Sequence, residues 1–464
     1  MKNSRKLEKL HMGFITMPNK SAREMALQIL YRIETKKAYS TVLLDQAAND
    51  QNWDGNQALL RQLVKGTLEW RGKIDSVLEQ VVKGDLDSLT PWIRNILRLA
   101  TYQILFLDRI PPEVAVNESV ELAKRYGHRG TVRLVNAVLR KVVAQRQQKV
   151  APPIVEQDPA DYIAINFSHP KWMVQRWIQQ LGAEETIELC MANNQAGHLC
   201  LRTNTLKGST SDLRMQLEKE GIDFRPAQYA PDCTIVTKLP RTTRLNQLSS
   251  YCNGLFQVQD ESSALIAYLV DPQPGECIVD LCSAPGGKTT HCAALMQNQG
   301  RILAVDLHRH RLHLIQTNAK RLGITMIEEV CADGRTLHLD HLADRVLVDA
   351  PCSGLGVLGR RSDARWNKAE SDLQGLRVLQ LELLQHASTL VKPGGRLVYS
   401  TCTIDIDENE GIVQTFINNS SDYKLLGAPE HIPTPLVDQQ GYYRTWPHRH
   451  DMGGAFGAVM IRSV

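Results

Sequence analysis

Apolar side chains in the first third of the chain recur at the spacing of amphipathic helices. They follow one another at three- and four-residue intervals in two segments, Ala22, Met25, Ala26, Ile29, Leu30 and Ile33, and then Ile93, Ile96, Leu97, Leu99 and Ala100. This periodicity is typical of helices that bury one face, and strand-like alternation is absent. We therefore predict an all-α bundle over residues 20–150, in which Pro111-Pro112 begins one helix and Pro152-Pro153 marks the exit.

The pattern changes twice further along the chain. Between about Pro159 and Pro240, three helical segments surround a strand-like run at His198–Thr203, which predicts a small α+β module over residues 159–245. From about Gly254 to the end, short branched apolar runs alternate with helical segments, beginning with Cys277–Leu281 and Ile302–Asp306. This alternation predicts a doubly wound parallel sheet with helices on both faces over residues 250–464.

Composition changes this picture little. A chain of 464 residues with 43% hydrophobic content is expected to form roughly three globular domains. Ten cysteines without a CxxC pair indicate reduced thiols and no zinc site, so we expect no metal. The apolar stretch from Met12 to Met17 is too short for a secretory signal, and no uncharged run is long enough to span a bilayer. We therefore predict a cytoplasmic protein without a membrane partner.

The net charge of +4 is mild, so any affinity for nucleic acid has to come from local clusters. The densest cluster runs from Lys124 to Lys149 and includes Arg129, Arg133 and Arg140, with Glu121 almost its only nearby acid. A solvated helix face is one interpretation of such a run, and contact with RNA phosphates is the other.

Two short segments carry the candidate chemistry. Cys352 follows the strand-like run that ends at Asp349, and Cys402 follows the run that ends at Ser400. If these strands are neighbours in a parallel sheet, their carboxyl ends bring both thiols into the crevice where such sheets bind ligands. The sequence therefore predicts an enzyme with two cysteines in one active site. Five further cysteines are interpreted as buried small hydrophobes, namely Cys190, Cys200, Cys233, Cys277 and Cys331.

The loop after the first strand of this region predicts a nucleotide-like cofactor. It comprises Cys282, Ser283, Ala284, Pro285, Gly286, Gly287 and Lys288. It lacks the first glycine of a Walker phosphate loop and the GxGxxG pattern of dinucleotide sites, which leaves a cofactor with a ribose but no phosphate chain. Asp306 ends the second strand, where a carboxylate accepts from ribose hydroxyls, and Asp333 follows the third, where it meets an adenine amino group. S-adenosylmethionine fits these requirements, whereas helix capping is the alternative for each aspartate taken alone.

Three motifs, DLCSAPGGKTT, VDAPCSGLG and YSTCT, together resemble the RNA cytosine-5 methyltransferase family. The resemblance covers roughly Gly254 to Val464 and implies a Rossmann-like class I methyltransferase domain. The helical front half resembles the NusB-type RNA-binding fold, and this combination resembles the bacterial ribosomal subfamily called Sun or Fmu. The chain departs from that family near its end, where it carries Gly453-Gly454-Ala455-Phe456 in place of an acidic residue and paired phenylalanines.

The resemblance implies methylation of C5 of a cytidine in 16S rRNA, either unassembled or partly assembled. It assigns addition to cytosine C6 to Cys402, and assistance in removing the C5 proton and eliminating the first thiol to Cys352. Asp349 is expected to meet the Watson–Crick edge of the base and to border the cofactor, and Lys288 to contact the same pocket. Four residues that follow the Cys352 loop are candidates for binding the flanking RNA phosphates, namely Arg360, Arg361, Arg365 and Lys368. Trp366, which lies among them, either stacks on a base or packs within the protein.

Three alternative functions remain at this stage. The enzyme could methylate tRNA or another RNA at the same atom, or it could methylate a different kind of target, such as a ribosomal protein, on the same sheet. It could also be a non-catalytic NusB-like RNA-binding factor. The last two leave the cysteine pair without a role, which favours thiol chemistry on RNA.

Overall fold

The protein is described by a computed structural model covering residues 20–50, 53, 55–148, 158–240 and 243–464. The chain divides into a helical unit, Met1–Cys190 with Arg361–Asn367, and a sheet unit, Met191–Arg360 with Lys368–Val464. The predicted positions at Lys149 and Pro152-Pro153, and the segment before Lys20, lie outside the described residues. Within the described ranges, no helix has the length and apolar character that a membrane crossing requires.

The prediction of an all-α N-terminal region is confirmed. Among the described residues, this region contains α1 (Ala22–Lys36), α2 (Ser40–Ala48), α3 (Gln57–Glu69), α4 (Arg71–Val81), α5 (Pro91–Phe106), α6 (Pro112–Tyr126) and α7 (Arg129–Gln148). The helical segments before the first strand of the next module are α8 (Pro159–Asn166), α9 (Lys171–Leu181) and α10 (Ala183–Asn193). The apolar positions that the periodicity identified in α1 and α5 are buried in one core.

Helix α5 illustrates why these segments are helical. The hydroxyl of Thr90 accepts the Ile93 N–H at 3.5 Å, and a proline occupies the first turn, where no N–H is required. The helix also buries a charge, because the Arg98 guanidinium lies 2.7 Å from a carboxylate oxygen of Asp75 and 3.0 Å from one of Glu34. Charge-assisted hydrogen bonds of this kind compensate the loss of hydration on burial.

A seven-residue segment from late in the chain belongs to the helical unit. It contains α16 (Ala364–Asn367), and the Ser40 hydroxyl at the start of α2 donates to the Asp363 carboxylate at 2.6 Å. The Arg365 guanidinium is 0% exposed and donates to the carbonyls of Glu69 and Ser168, at 3.3 Å each. The hypothesis that Arg365 grips a phosphate is therefore wrong, because its charge is used within the protein core.

Trp366 is also used within the helical unit. Its indole N–H donates to the Leu68 carbonyl at 2.6 Å, and the Arg71 guanidinium lies 5.2 Å from its ring centroid. These contacts correspond to the packing interpretation of this tryptophan.

The sheet unit begins with a small antiparallel sheet of order β2-β3-β1-β4. Its elements are β1 (Leu199–Thr203), α11 (Thr210–Lys219), β2 (Asp223–Pro226), β3 (Cys233–Lys238), α12 (Ser249–Cys252) and β4 (Phe256–Val258). The Ser209 side chain caps α11 by accepting the Asp212 N–H, and the Asp212 carboxylate accepts the Ser209 N–H in return. The predicted α+β character of this region is confirmed.

The second sheet of this unit has eight strands. The remaining elements are α13 (Glu261–Val270), β5 (Cys277–Leu281), α14 (Gly287–Leu295), β6 (Arg301–Asp306), α15 (Arg309–Leu322), β7 (Ile327–Cys331), β8 (Ala343–Asp349), α17 (Glu370–Thr389), β9 (Val391–Thr401), α18 (Glu410–Asn418), β10 (Tyr423–Leu425), β11 (Tyr443–Thr445), α19 (Pro447–His450) and β12 (Ala455–Arg462). The order is β10-β12-β9-β8-β5-β6-β7, and β11 pairs with β12.

Five neighbouring strands, β7, β6, β5, β8 and β9, run parallel, as the alternation of strands and helices predicts. The expectation of a wholly parallel sheet is wrong at one edge, because β12 is antiparallel to β9, β10 and β11. Parallel neighbours need a long crossover connection, usually a helix, between the two strands. In the connections between β10, β11 and β12, the only described α-helix is the four-residue α19.

The central strands of the large sheet, β5, β6 and β8, are buried on both faces, which explains their apolar runs. Ile278 of β5 packs in one cluster with residues of α13 and α14, and its neighbour Val279 packs in another with residues of α17 and α18. Successive side chains of a strand point to opposite faces, so helices cover the sheet on both sides, as predicted.

Candidate active site

The two cysteine loops meet at the carboxyl edge of the large sheet. Strands β8 and β9 are parallel neighbours, with Asp349 in register with Ser400. The chain leaves these strands toward the same edge, and the sulfur atoms of Cys352 and Cys402 lie 3.4 Å apart. Both side chains are half-buried. The sequence prediction that the two thiols share one site corresponds to this geometry.

A lysine and an aspartate lie beside the thiols at the point where the strand order reverses. Lys288 follows β5, Asp349 ends β8, and their side chains form an ion pair. The ammonium also lies 3.4 Å from the Ser400 hydroxyl, which donates to the Asp349 carboxylate at 3.0 Å. The Lys288 side chain is 9% exposed and that of Asp349 is 31% exposed, so the carboxylate is the partner that a ligand can reach. Open α/β sheets bind ligands at this topological position.

Electrostatics distinguish the two thiols. The hydrogen bond that Cys352 shares with Cys402 raises the pKa of Cys352 well above its ordinary value, and burial and the Glu408 carboxylate raise it further. Burial alone would lower the pKa of Lys288, but Asp349 outweighs this effect and raises it, with a smaller contribution from Cys402. The Lys288 ammonium therefore lies within electrostatic reach of the Cys402 sulfur. The surroundings therefore favour a neutral Cys352.

The predicted cofactor loop is a tight turn into a helix. Cys282 and Gly286 have φ angles of 62° and 93°, and Gly286 stands immediately before α14. At the φ angle of Gly286 only glycine avoids a strained backbone, and a Cβ on Gly286 would also lie 3.1 Å from the Ile315 side chain. The Ser283 N–H and hydroxyl both donate to the Val305 carbonyl of β6, at 2.9 and 3.0 Å. Burial raises the pKa of the Cys282 thiol to about 12, so this third nearby cysteine stays protonated.

One buried and one partly exposed arginine contact this loop. Arg202 of β1 is 1% exposed and donates to the Gly287 carbonyl at 2.7 Å and to the Thr290 hydroxyl at 3.2 Å. Arg311 of α15 donates to the Ala284 carbonyl at 2.6 Å. No sequence motif points to Arg202, and the available signal was a charged residue inside a strand-like run.

The two aspartates predicted to hold the cofactor already have protein partners. Asp306 accepts the His308 N–H at 2.9 Å and pairs with Arg311 at 3.1 Å, with its side chain 2% exposed. Asp333 pairs with Arg335 at 2.7 Å, and this hydrogen-bonded ion pair lowers the pKa of Asp333 to about 2. The roles of both residues toward a cofactor stay predictions.

Asp280 in β5 is an acidic group that the sequence analysis left without a role. It is 2% exposed, and its Oδ2 atom accepts the Thr289 hydroxyl at 2.6 Å. Its Oδ1 atom is buried and accepts no hydrogen bond from any residue that the structure describes. Burial raises the pKa of Asp280 to about 7. A carboxylate inside an apolar strand was the available sequence signal, since buried acids are rare without a partner.

The glycines near the C-terminus pack against the Cys352 loop. The Gly454 N–H donates to the Gly356 carbonyl at 2.7 Å. A Cβ on Gly454 would lie 2.8 Å from the Gly356 Cα and 2.6 Å from Ile404. This departure from the family's usual ending is therefore a close backbone contact that leaves no room for a side chain.

The candidate RNA-contacting residues fall into two groups. Arg129, Arg133 and Arg140 of α7 are exposed and make no ion pair with any described residue, and they fall within about 40° of one helix face. Arg360 instead pairs with Asp260 and donates to the His198 carbonyl at 2.7 Å, whereas Arg361 is exposed. Three other cations of the basic run are paired: Lys124 with Glu121 of the same helix, Arg125 with Glu24 and Arg146 with Asp108.

Other expectations concern thiols and metals. Cys190, Cys200 and Cys233 are buried as predicted, whereas Cys277 is half-buried and Cys331 is exposed, so the buried interpretation is wrong for these two. Among the described residues, no group of three or more His, Cys, Asp or Glu side chains is arranged to hold a metal ion.

Comparison with known families defines the class of protein. Residues 267–461 match the family model described as 16S rRNA methyltransferase RsmB/F, and residues 169–243 match its ferredoxin-like domain. Residues 20–144 match the NusB family. Together with the doubly wound sheet and the paired cysteine loops, these matches define an RNA methyltransferase.

Relatives narrow this class to one family. The chain is 36% identical over 449 residues to the probable ribosomal RNA small subunit methyltransferase B of Bacillus subtilis, covering 95% of this chain and 98% of that protein. It is 32% identical over 443 residues to the ribosomal RNA small subunit methyltransferase B of Serratia proteamaculans, covering 94% and 97%. The chain belongs to the RsmB/F family of rRNA methyltransferases, which confirms the resemblance to the Sun or Fmu type.

Solved structures agree with this assignment. The crystal structure of PH0851 is similar with a TM-score of 0.79 at 28% identity, covering 95% of this chain and 99% of that one. The crystal structure of NSun6 from Pyrococcus horikoshii with SFG has a TM-score of 0.58 at 25% identity, covering 64% and 98%.

Proposed function

We propose that this protein uses S-adenosylmethionine to methylate C5 of a cytidine in 16S rRNA through a covalent adduct with Cys402. The 3.4 Å separation of the Cys352 and Cys402 sulfur atoms at the carboxyl edge of the sheet carries this proposal. The names of the relatives, ribosomal RNA small subunit methyltransferase B, support small-subunit rRNA as the substrate. Cytosine 967 is the candidate target implied by the family resemblance.

The residues around the loop before α14 fit the proposed cofactor. The buried Oδ1 atom of Asp280 lacks a described donor, and such an atom suits a ligand that brings a hydrogen-bond donor or a positive charge. The loop from Cys282 to Gly287, with Asp306, Asp333 and Asp349, would hold the group. When bound, S-adenosylmethionine would supply an activated methyl group for transfer to C5.

Cys402 begins the reaction. C5 of cytosine is a poor nucleophile, but addition of the Cys402 thiolate to C6 places electron density on C5. The Lys288 ammonium favours that thiolate, and the partly exposed Asp349 carboxylate would accept a hydrogen bond from the amino group on the Watson–Crick edge of the base. Addition places negative charge on the ring, and a proton that N3 takes from water neutralises it.

Cys352 acts after methyl transfer. The adduct then carries both a methyl group and a proton at C5, and elimination requires that this proton leaves while the C6–sulfur bond breaks. Water accepts the C5 proton, and the neutral Cys352 thiol, 3.4 Å from the Cys402 sulfur, assists elimination by donating a hydrogen bond to the departing sulfur. The bond electrons return to Cys402 as thiolate, which restores the site.

The target base has to leave its stacked position to reach this crevice, which makes single-stranded or loop RNA the easier substrate. The arginine face of α7, formed by Arg129, Arg133 and Arg140, supplies cations for the RNA backbone.

Bisulfite sequencing tests the proposed function. Total RNA is compared from cells with the gene, without it, and without it but complemented by wild type or Cys402→Ala. We expect one cytidine of 16S rRNA to lose its protection without the gene and to regain it with wild type alone. If the cytidine whose protection depends on the gene lies in tRNA, the substrate is tRNA and not 16S rRNA. If no cytidine in any RNA loses protection without the gene, C5 methylation is rejected.

A further inference from the structure

Glu408 is a buried acid near the thiols that the proposed mechanism does not use. It lies between β9 and α18, in the segment that follows Cys402, and it is 0% exposed. Its Oε2 atom accepts the Ser353 N–H at 2.8 Å, and Ser353 is the residue after Cys352. Its Oε1 atom accepts the Thr403 hydroxyl at 3.4 Å, and Thr403 is the residue after Cys402. One carboxylate therefore contacts both cysteine loops.

A second residue holds the other side of Cys352. The Gln380 side chain of α17 is 0% exposed, and its amide donates to Glu408 at 2.9 Å and to the Pro351 carbonyl at 2.9 Å. The chain is thus held immediately before and immediately after Cys352. The Ser353 and Thr403 hydroxyls, 2.8 Å apart, link the two loops directly.

The chemistry of these contacts requires a carboxylate. An N–H, an amide NH₂ and a hydroxyl converge on Glu408, and an ionised carboxylate accepts from all three while donating to none. A glutamine would place its own NH₂ against one of these donors. Burial raises the pKa of Glu408, with Asp405 adding to the effect, so the hydrogen bonds oppose a substantial desolvation cost.

The two loops depend on Glu408 unequally. The Cys352 loop receives a 2.8 Å backbone bond from it and a further bond through Gln380, whereas the Cys402 loop receives one contact of 3.4 Å. Cys402 also directly continues β9, which is paired on both sides in the sheet. Loss of the carboxylate would therefore displace Cys352 more than Cys402.

We propose that Glu408 is a positioning residue that holds Cys352 against Cys402 and thereby sets the rate at which the covalent RNA adduct is resolved. This inference rests on the proposed function. Glu408 does not contact the reacting atoms and acts through the Cys352 loop.

The test compares Glu408→Gln with wild type and with Glu410→Gln. Glu410 is a matched control, because it lies two residues further on, burial also raises its pKa, and its ion-pair partner is Arg444. Substrate RNA and S-adenosylmethionine are mixed with each protein in a single turnover, and denaturing gels follow the adduct. We expect the Glu408→Gln adduct to persist about tenfold longer, with cofactor affinity within about twofold of wild type. Equal adduct lifetimes in all three proteins would overturn the inference.

A second measurement reads the position of Cys352 without any reaction on RNA. Diamide takes two electrons and two protons from the two thiols as a Cys352–Cys402 bond forms, and peptide mass spectrometry follows the product. We expect this cross-link to form about tenfold more slowly in Glu408→Gln than in Glu410→Gln, because effective concentration falls with displacement. Equal cross-linking rates would also overturn the inference.

The two failures can be told apart. If wild type forms no adduct and no methylcytidine, the proposed function fails, whatever the cross-linking rates are. If wild type methylates RNA and the two glutamine variants match it in both assays, only the inference fails. Should Glu408→Gln not fold, as judged by circular dichroism, Glu408→Asp takes its place, since it keeps the acceptors but shortens their reach.

Discussion

At the scale of single residues, the site combines two thiols of the same type in different surroundings. Cys402 is close enough to the Lys288 ammonium to affect its pKa, whereas the pKa of Cys352 is raised by Cys402, burial and Glu408. The two thiols therefore have different electrostatic surroundings. This difference leads to distinct consequences when each cysteine is removed.

We expect the two cysteine variants to fail differently. Cys402→Ala removes the nucleophile, so methylation should fall by at least about a thousandfold and no covalent RNA complex should form. Cys352→Ala permits addition and methyl transfer but slows elimination, so a denaturant-resistant adduct should accumulate. Each variant is incubated with cofactor and RNA and analysed on a denaturing gel. An adduct from the Cys402 variant alone would reverse the roles, and full activity of both variants would exclude thiol catalysis.

Asp280 should make stability depend on pH. Its pKa is about 7 in the folded protein against 3.8 in the ordinary state, because burial disfavours the charge. The stability associated with the neutral carboxyl group is complete below about pH 4 and is lost as the pH rises through 7. The free energy of unfolding of Asp280→Asn, relative to that of wild type, should therefore rise by up to about 4 kcal/mol between pH 4 and pH 8. Hydrogen exchange of β5 amides measures this difference, and parallel pH profiles would contradict it.

At the scale of elements, α7 and β12 show how a helix face and a strand end acquire separate tasks. Helix α7 buries Val135, Val138, Leu139 and Val142 in the core of the helical unit and exposes its three arginines on another face. The glycines before β12 instead supply a surface without side chains, against which the Cys352 loop packs. Hydrophobic periodicity explains the first arrangement, and close backbone contact explains the second.

The arginine face of α7 should bind RNA phosphates. Replacing Arg129, Arg133 and Arg140 by alanine should reduce the magnitude of the slope of log affinity against log salt by about 2. The reason is that binding releases fewer counterions when fewer phosphates are contacted. The matched control replaces Lys124, Arg125 and Arg146 by alanine, which removes the same amount of charge. These three cations are paired with Glu121, Glu24 and Asp108, respectively. Filter binding at several salt concentrations measures both slopes. Equal slopes in the two triple variants would reduce this face to a solvated surface.

Gly454→Ala should displace the Cys352 loop. Its Cβ would meet Gly356 at 2.8 Å and Ile404 at 2.6 Å, and overpacking of this kind costs about 1–3 kcal/mol. We expect a lower melting temperature and a lower methylation rate. The control is Gly375→Ala in α17, where a Cβ has open space and should stabilise the helix by about 0.5–1 kcal/mol. Normal activity and stability of Gly454→Ala would contradict the close contact.

At the scale of the whole molecule, the helical unit is not continuous in sequence. Residues 361–367 belong to it although the chain on either side belongs to the sheet unit. The hydrogen bond between Ser40 and Asp363 joins residues 323 positions apart, and both side chains are 2% exposed. Contacts of such long range contribute to stability only after a large part of the chain is ordered.

Ser40→Ala should therefore destabilise the helical unit. It removes a buried hydrogen bond to a carboxylate, which costs about 1.5–3 kcal/mol because the charge loses a donor. Urea denaturation, with the transition assigned to α2 by hydrogen exchange, measures the change. Thr35→Ala is the control, since its exposed hydroxyl donates only to the Tyr31 carbonyl within α1. Equal stability of the two variants would show that the Asp363 contact contributes little.

Much of the fold could be predicted because it depends on local patterns. The helix that begins at Pro112, the strand Cys277–Leu281 and the turn at Gly286 follow from proline geometry, apolar runs and the left-handed backbone that glycine permits. The juxtaposition of Cys352 and Cys402 followed from one further assumption, that their strands are parallel neighbours. Local signals and the handedness of crossovers restrict the possible topologies strongly.

Only the tertiary structure decided which groups meet across the chain. Arg202 braces the cofactor loop, Glu408 joins the two cysteine loops and Arg365 is buried in the helical unit, although in sequence each is simply a charged residue among many. The antiparallel edge at β12 was likewise decided by pairing, not by its own residues. Sequence patterns determine elements because backbone preferences and hydrophobic periodicity act over a few residues. Partners of buried charges are determined by packing, which brings together residues that no local pattern relates.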